Sequence, residues 1–345
     1  MKTILISRTD AIGDVVLTLP VAGQLKKRFP DCRVVLLGRT YTQPVATSCP
    51  WVDGFLNYDD LLQLSVADQV ALMRAQQAEV IIHVFPNKAV ARLAQLADIP
   101  IRIGTRSRWF HWLTCNRLIT LSRRNSLLHE AQLNLALLEP LTPSVRLPLA
   151  EVTELGKLRP VEQLPPVYEE LLAAKQPGQL NVILHPRSRG SAREWGREHF
   201  GTLARLLFEA GHRVFVTGTA AEGEELQAWL IDYGPYLAAD LTGHFTLAQL
   251  ISFIAAADAL VAGSTGPLHI AAALDRHAIG LYPPIRPMHP GRWAPLGYKS
   301  EYIVFNKPDC QDCRQQPAAC TCITAIEPVE VMGRILAGSS FTFSN

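Results

Sequence analysis

The chain alternates short apolar runs with segments of helical periodicity, and this alternation most constrains its fold. In the first half, helical spacing is found over Val15–Phe29 (where Pro20 is expected to kink or break the helix), Leu61–Gln76, Ala89–Leu96 and His129–Leu138. The strands predicted between these helices are Lys2–Ser7, Arg33–Leu37, Val80–Val84 and Ile101–Gly104. Alternating β and α elements predict a parallel sheet with helices on both faces.

The alternation restarts after a proline-rich segment, Glu139–Gly178. Strands are predicted at Leu180–Leu184, Arg213–Thr217 and Ala259–Ala262, and helices at Arg197–Ala210, Ala221–Ile231 and Leu247–Ala257. A chain of 345 residues exceeds the usual size of a single core. We therefore expect two α/β domains with a boundary near Pro165, and a small-molecule site in a cleft between them.

Composition excludes several classes of protein. A net charge of +2 leaves no large excess of Lys and Arg for binding nucleic acid. The N-terminal apolar run is too short for a signal peptide, and no segment has the length and apolarity of a membrane span. We expect a cytoplasmic protein, with peripheral contact to the cytoplasmic face of the inner membrane left open.

Two loops that follow strands are candidates for chemistry. Gly263-Ser264-Thr265-Gly266 joins an apolar strand to a helix that begins near Pro267, and such a junction suits a phosphate. The loop Arg8–Asp14 follows the first strand, at the edge of the sheet where ligands bind. Asp14 is either a helix N-cap or first-turn acid, or a carboxylate that takes a proton from a bound hydroxyl.

Two more loops of the second half carry hydroxyls, arginines and an acid. They are His185–Trp195, which includes Ser188 and Arg193, and Thr217–Glu222. His185 and His269 are either ligand-binding or buried and hydrogen-bonded. The sequence lacks the motifs G-x-G-x-x-G, G-x-x-x-x-G-K-[ST] and Asp-x-Asp. This argues against a dinucleotide oxidoreductase, a P-loop NTPase and a metal-held sugar nucleotide.

Arginines cluster around aromatic residues in Arg102–Arg124, a segment with Trp109, Phe110 and Trp112 at its centre. The segment is either a solvated basic face with some aromatics in the core, or a rim that grips an anionic acceptor. Near the C-terminus, the spacing Cys310-x2-Cys313-x6-Cys320-x-Cys322 leaves a zinc site and a packed loop of free or partly paired thiols both open.

Several ordered motifs resemble glycosyltransferase family 9, the ADP-heptose:lipopolysaccharide heptosyltransferases. ILISRTDAIGDVVLTLP is similar to the family's opening strand, "GD" loop and helix, and LHPRSRGSAREW to its "HPG(S/A)…K.W" segment. TGTAAEGE resembles its "GGPxE" turn, and STGPLHIAAAL its "D(T/S)GpmHlAaAl" signature. The resemblance covers nearly the whole chain.

The resemblance implies the GT-B architecture, with two Rossmann-like domains facing each other across a cleft. Residues 1–165 would bind the acceptor, residues 166–325 the nucleotide sugar, and residues 326–345 would form a helix crossing back to the first domain. It implies an inverting, metal-independent transfer of a heptose or related sugar from an ADP-sugar to an anionic glycolipid acceptor of the lipopolysaccharide inner-core type. No cofactor is implied beyond the donor substrate.

The site residues follow from the matched motifs. Asp14 would be the general base. Donor-binding residues would be Ser188, Arg193, Glu222, Ser264, Thr265, Gly266 and His269, and acceptor-binding residues Arg106, Arg108, Arg123 and Arg124. Three positions depart from the family pattern: Ser264 replaces an Asp associated with the donor sugar, Arg193 a Lys, and Arg187 a Gly. The alternatives are an epimerase or hydrolase acting on a nucleotide sugar, and an inactive relative that only binds one.

Overall fold

The computed structural model describes residues 3–123, 126–142, 146–307, 310 and 320–339. The chain divides into two compact units, Met1–Arg159 and Pro160–Asn345. No helix within the described ranges has the length and apolarity needed to cross a membrane.

The first unit is a parallel sheet of six described strands in the order β3-β2-β1-β4-β5-β6. The strands are β1 (Thr3–Ser7), β2 (Arg33–Gly38), β3 (Gly54–Asn57), β4 (Val80–His83), β5 (Ile101–Thr105) and β6 (Arg117–Ile119). The helices are α1 (Ile12–Val16), α2 (Leu19–Arg28), α3 (Gln43–Thr47), α4 (Tyr58–Leu61), α5 (Val66–Ala75), α6 (Lys88–Leu96), α7 (His111–Thr114), α8 (Glu130–Leu135) and α9 (Leu149–Leu155).

The second unit repeats this arrangement, with its described strands in the order β9-β8-β7-β10-β11-β12. The strands are β7 (Asn181–His185), β8 (Arg213–Val216), β9 (Ala239–Asp240), β10 (Ala259–Gly263), β11 (His277–Tyr282) and β12 (Ser300–Val304). The helices are α10 (Pro166–Ala173), α11 (Arg197–Glu209), α12 (Ala220–Tyr233), α13 (Leu247–Ala256), α14 (Gly266–Ala273), α15 (Pro290–Trp293), α16 (Thr321–Thr324) and α17 (Pro328–Ser339).

Both sheets have the strand order 3-2-1-4-5-6 when strands are counted within each unit. This is the order of the Rossmann fold, in which ligands bind beyond the carboxyl ends of the first and fourth strands. The predicted α/β class with two Rossmann-like units is confirmed. The topology directs attention to the ends of β1 and β4 in the first unit, and of β7 and β10 in the second.

Each unit has its own apolar core. In the first, Leu5 and Ile81 of the central strands pack with Val90 of α6, all fully buried. In the second, Val182 and Val261 of the central strands pack with Trp195. The same core includes Val331 and Ile335 of α17, which contacts α11 and β11. The crossing of this helix to the first domain stays a prediction.

The predicted helix Val15–Phe29 is two helices, α1 and α2. Leu17 ends α1 and Thr18 begins α2, so that Pro20 lies in the first turn of α2. A proline is accommodated there because a first-turn N–H has no partner within the helix. The predicted helix Leu61–Gln76 likewise divides into α4 and α5, because Ser65 caps the start of α5 by accepting a bond from the backbone N–H of Asp68.

Candidate functional site

The loop Arg8–Asp14 of the first unit follows β1 at the point where the strand order reverses. Asp14 lies in the first turn of α1, and Ala11 rather than Asp14 is the N-cap. The Asp14 side chain is 23% exposed. It is therefore a first-turn acid whose carboxylate reaches solvent, as a proton acceptor for a bound alcohol must.

Arg8 holds this carboxylate. Its side chain is only 4% exposed, and it donates through Nη2 to Asp14 Oδ1 and through Nε to Asp10 Oδ1 at 2.6 Å. Its Nη1 lies 3.7 Å from Glu130 Oε1. One buried guanidinium thus joins three carboxylates. We did not predict a role for Arg8, although it is the only long cation in the loop.

Arg123 extends the same network. Its Nε lies 3.0 Å from Glu130 Oε1, and its Nη2 donates to Asn134 Oδ1 at 2.9 Å. With Arg8, the group has two guanidinium and three carboxylate side chains, a formal charge of −1. Arg123 is therefore the predicted acceptor-binding residue that lies beside Asp14.

Two other predicted acceptor-binding residues, Arg106 and Arg108, lie on a different loop. Arg106 and Arg108 are exposed on the loop after β5, and within the described part of the chain their side chains make no ion pair with the Asp14 network. Arg124 falls outside the described residues. Arg102 of the same cluster is structural: its Nε donates to the carbonyl of Thr114 at 2.7 Å.

The excess negative charge affects the loop's protonation. Burial raises the pKa of Asp10 from 3.8 to about 6, an effect that Arg8 opposes and Asp14 reinforces. Asp10 and Asp14 therefore share one guanidinium, and Asp10 titrates closer to neutral pH than an ordinary carboxylate does.

A neutral histidine ends the neighbouring strand β4. His83 is fully buried beside Ser7 in the sheet register, and burial lowers its pKa to about 3. Among the described residues, both its ring nitrogens and Ser7 Oγ lack a hydrogen-bond partner. His83 was not predicted as a site residue. In the sequence, a histidine at the end of an apolar strand looks the same whether it is functional or part of the core.

In the second unit, the loop after β7 carries Ser188 and Arg193, both largely buried. Ser188 Oγ donates to the carbonyl of Ala192 at 3.1 Å, and Glu194 accepts from the Ser188 N–H at 3.1 Å. A Cβ on Gly263 would lie 3.4 Å from the Arg193 carbonyl oxygen. The loop therefore lies directly against the carboxyl end of β10.

Helix α14 begins at that end of β10. Thr265 is its N-cap residue, yet the Thr265 side chain makes no capping bond. Its Oγ1 is buried and has no partner among the described residues. The N–H groups of Gly266 and Leu268 precede the first helical hydrogen bond, which His269 donates to the Thr265 carbonyl at 3.3 Å. A buried hydroxyl and first-turn N–H groups therefore converge at one helix N-terminus.

Ser264 and His269 flank this N-terminus. Ser264 lies beside the hydroxyl of Tyr282 and opposes the rise in the pKa of Tyr282 that burial causes, while that hydroxyl donates to the carbonyl of Trp293. His269 is buried in the first turn of α14. The Ser264 side chain is thus next to the Tyr282 phenol on β11. At position 264 the family pattern has a carboxylate.

Glu222 follows the adjacent strand β8 and belongs to a capping box. Its Oε2 accepts from the Thr219 N–H at 2.7 Å, and its Oε1 lies 3.7 Å from Arg189 Nε. His185 is buried and its Nδ1 lies 3.1 Å from Thr217 Oγ1, which fits the second of its two predicted readings. Because β8, β7 and β10 are neighbours, their loops bring the predicted donor-binding residues to one edge of the sheet.

The cysteine-rich tail is only partly described. Sγ atoms of Cys310 and Cys322 lie 3.3 Å apart, and both residues are buried in the core of the second unit with Cys320. Cys313 lies outside the described residues. Across the described ranges, no three His, Cys, Asp or Glu side chains are grouped so as to hold a metal ion.

Known proteins resemble this chain throughout its length. A family model for glycosyltransferase family 9 (heptosyltransferase) matches residues 71–323. Lipopolysaccharide heptosyltransferase 2 of Escherichia coli K12 is 24% identical over 321 residues, covering 87% of this chain and 87% of that protein.

Two solved structures share the fold. The structure of E. coli ADP-heptose LPS heptosyltransferase II has a TM-score of 0.75 at 20% identity and covers 99% of this chain and 100% of that one. The glycosyl transferase family 9 structure from Veillonella parvula DSM 2008 has a TM-score of 0.82 at 17% identity and covers 97% of each chain. The match includes both Rossmann-like units.

Proposed function

The chain belongs to glycosyltransferase family 9, the heptosyltransferases, and has the family's GT-B fold; from this premise we propose that it transfers a heptose or related sugar from an ADP-sugar to a lipopolysaccharide inner-core-type acceptor. The transfer is proposed to invert the anomeric centre and to need no catalytic metal. We place it at the cytoplasmic face of the inner membrane. The observation that carries the donor half is the Thr265 hydroxyl, buried at the N-terminus of α14 with no partner among the residues that the structure describes.

The donor diphosphate would lie at that N-terminus. The N–H groups of Gly266 and Leu268, the Thr265 hydroxyl and the Arg193 guanidinium supply donors and positive charge for it. These groups would also stabilise the charge that grows on the departing ADP. Ser188 and His269 complete the predicted set, and Glu222 would contact the ribose.

The acceptor would react at Asp14. The carboxylate takes the proton of the acceptor hydroxyl as its oxygen attacks the anomeric carbon, and the bond from that carbon to the diphosphate oxygen breaks with its electron pair leaving on ADP. Attack opposite the leaving group inverts the centre. Arg8 is a positioning residue that fixes the Asp14 carboxylate, and Arg123 is the nearest proposed contact for an anionic acceptor.

Ser264 is the position that bears on the sugar. A serine hydroxyl can donate as well as accept, whereas the carboxylate of the family pattern only accepts. We propose that this difference acts on donor choice.

The test is ADP release from ADP-heptose with and without truncated lipopolysaccharide. We expect acceptor-dependent release in the wild type. Asp14→Asn should lower kcat about 10²- to 10⁴-fold because it removes the general base, with the Kd for ADP unchanged by calorimetry. Asp31→Asn, an exposed carboxylate of the same unit, is the matched control and should retain wild-type turnover.

Three results would contradict the proposal. Turnover without acceptor would indicate a hydrolase or epimerase, and donor binding without any turnover an inactive relative. Wild-type kcat in Asp14→Asn would remove the general-base assignment.

A further inference from the structure

Three large apolar side chains are exposed close together in the chain, in the loop after β5 and in the short helix α7 that follows it. Trp109 is 64% exposed, Trp112 55% and Leu113 68%. Among the aromatics of this segment, both tryptophans therefore lie outside the core. Clustered exposed apolar groups of this size usually mark a surface that contacts something else.

The exposure is built into the local structure. His111 is fully buried, and its Nδ1 lies 3.0 Å from the Thr105 nitrogen at the end of β5. Thr114 is also buried, and its hydroxyl donates to the carbonyl of Phe110 at 2.8 Å. These contacts fix the inner side of α7. Trp112 and Leu113, which lie between His111 and Thr114, are therefore held outward.

One cation lies over each of the two indole rings. The Nζ atom of Lys88 lies 4.9 Å from the Trp109 ring centroid, and the Arg106 guanidinium 5.2 Å from that of Trp112. Residues 88–123 contain seven Lys or Arg and a single acid, Asp98, which is paired with Arg74 at 2.7 Å. We call Lys88, Arg106, Arg108, Trp109, Trp112 and Leu113 the aromatic–basic patch.

We propose that the aromatic–basic patch docks the enzyme on an anionic lipid bilayer. Tryptophan favours the headgroup region, where its ring is apolar and its N–H stays hydrated. Each Lys or Arg near an anionic surface strengthens the attraction to it. A second copy of this chain is a poorer occupant, because pairing two such patches would bring like charges together. The inference rests on the proposed function only in that a glycolipid acceptor would be presented at such a surface.

The test is co-flotation with vesicles that contain no saccharide acceptor. Phosphatidylcholine vesicles are compared with vesicles containing phosphatidylglycerol, at low and high salt. We expect the wild type to bind the anionic vesicles, with binding weakened by salt. The double substitution Trp109→Ser/Leu113→Ser should lower the partition coefficient at least about tenfold, and Lys88→Glu several-fold.

Matched controls separate the patch from general surface effects. Leu62→Ser/Val66→Ser changes two exposed apolar residues of the same unit outside the patch, and Lys27→Glu makes the same charge change at an exposed position on α2. Both should bind as the wild type does. Transfer to a water-soluble truncated acceptor should be unchanged in Trp109→Ser/Leu113→Ser, so that loss of docking is distinguishable from loss of catalysis.

Absence of wild-type binding to anionic vesicles would overturn the proposal, as would equal binding by Trp109→Ser/Leu113→Ser. A concentration-dependent dimer that this double variant abolishes, with no vesicle binding, would assign the patch to self-association instead. Failure of wild-type transfer to the soluble acceptor would count against the proposed function and leave the vesicle result standing.

Discussion

Replacing Asp10 by asparagine tests the charge balance around Arg8. Asp10 shares that buried guanidinium with Asp14 and Glu130, and the described residues of the group, Arg123 included, carry one more negative than positive charge. Asparagine keeps the shape and removes one negative charge. We therefore expect Asp10→Asn to stabilise the protein above pH 6, although it deletes an ion pair of 2.6 Å.

The magnitude follows from the pKa of Asp10, raised from 3.8 to about 6. At about 1.4 kcal/mol per pKa unit, the upper bound is about 3 kcal/mol. Since the Asp10 side chain is 23% exposed, solvent relieves part of this cost, and we expect about 1–2 kcal/mol. Between pH 3.8 and about pH 6, Asp10 of the folded state holds a proton that the unfolded state has lost. The stability from protonated Asp10 is thus complete below about pH 4 and is lost as pH rises through about 6.

The assay is urea unfolding from pH 4 to pH 8, followed by tryptophan fluorescence. The free energy of unfolding of Asp10→Asn minus that of the wild type should be near zero at pH 4 and reach its plateau above pH 6. The exposed control Asp31→Asn should give a difference that does not change with pH. Destabilisation of Asp10→Asn at pH 8 would refute the charge count, and a pH-independent difference would refute the raised pKa.

Three further predictions concern the donor site and the packing. Thr265→Val removes a hydroxyl without a described partner, so it should weaken ADP binding about 10- to 100-fold in calorimetry without destabilising the free protein; an unchanged Kd would contradict this. EDTA should leave the transfer rate unchanged because Arg193 and the α14 N-terminus are proposed to neutralise the diphosphate, whereas a strict Mg²⁺ requirement would contradict the proposed mechanism. Gly23→Ala should cost about 1–3 kcal/mol in urea unfolding, because its Cβ would lie 2.6 Å from the Leu155 oxygen; Gly333→Ala, whose Cβ meets nothing within 4 Å, should not destabilise.

The sequence predicted the central strands and missed mainly the edges. β3, β6, β9 and β12 were not predicted, and they are the outermost strands of the two sheets. Edge strands are short and half exposed, so they lack the continuous apolar run of a buried parallel strand. The central strand β11 was also missed, although His277–Tyr282 carries such a run. It follows α14 after only a tight turn at Asp275, where the backbone φ is 55°.

Sequence reasoning located the site loops better than it assigned their partners. A loop after a predicted strand identifies a sheet edge, which is why Asp14 and Thr265 lie at the carboxyl ends of first and fourth strands. Nothing in the sequence says that Arg8 turns back onto Asp14 while Arg102 turns to backbone carbonyls. Those choices depend on contacts between residues far apart in the chain, such as Arg8 with Glu130.

The two units have one topology and opposite electrostatics at corresponding positions. In the first, the described carboxylates around Asp14 outnumber the described cations, a setting that repels a diphosphate. In the second, the carboxylates nearest the loops are engaged, Glu222 by Thr219 and Glu194 by Arg187, and α14 presents its positive end. An acceptor alcohol would find no comparable proton acceptor among the described residues there. The proposed division of roles between the general base and the diphosphate site would therefore follow from which side chains occupy equivalent loops of the same fold.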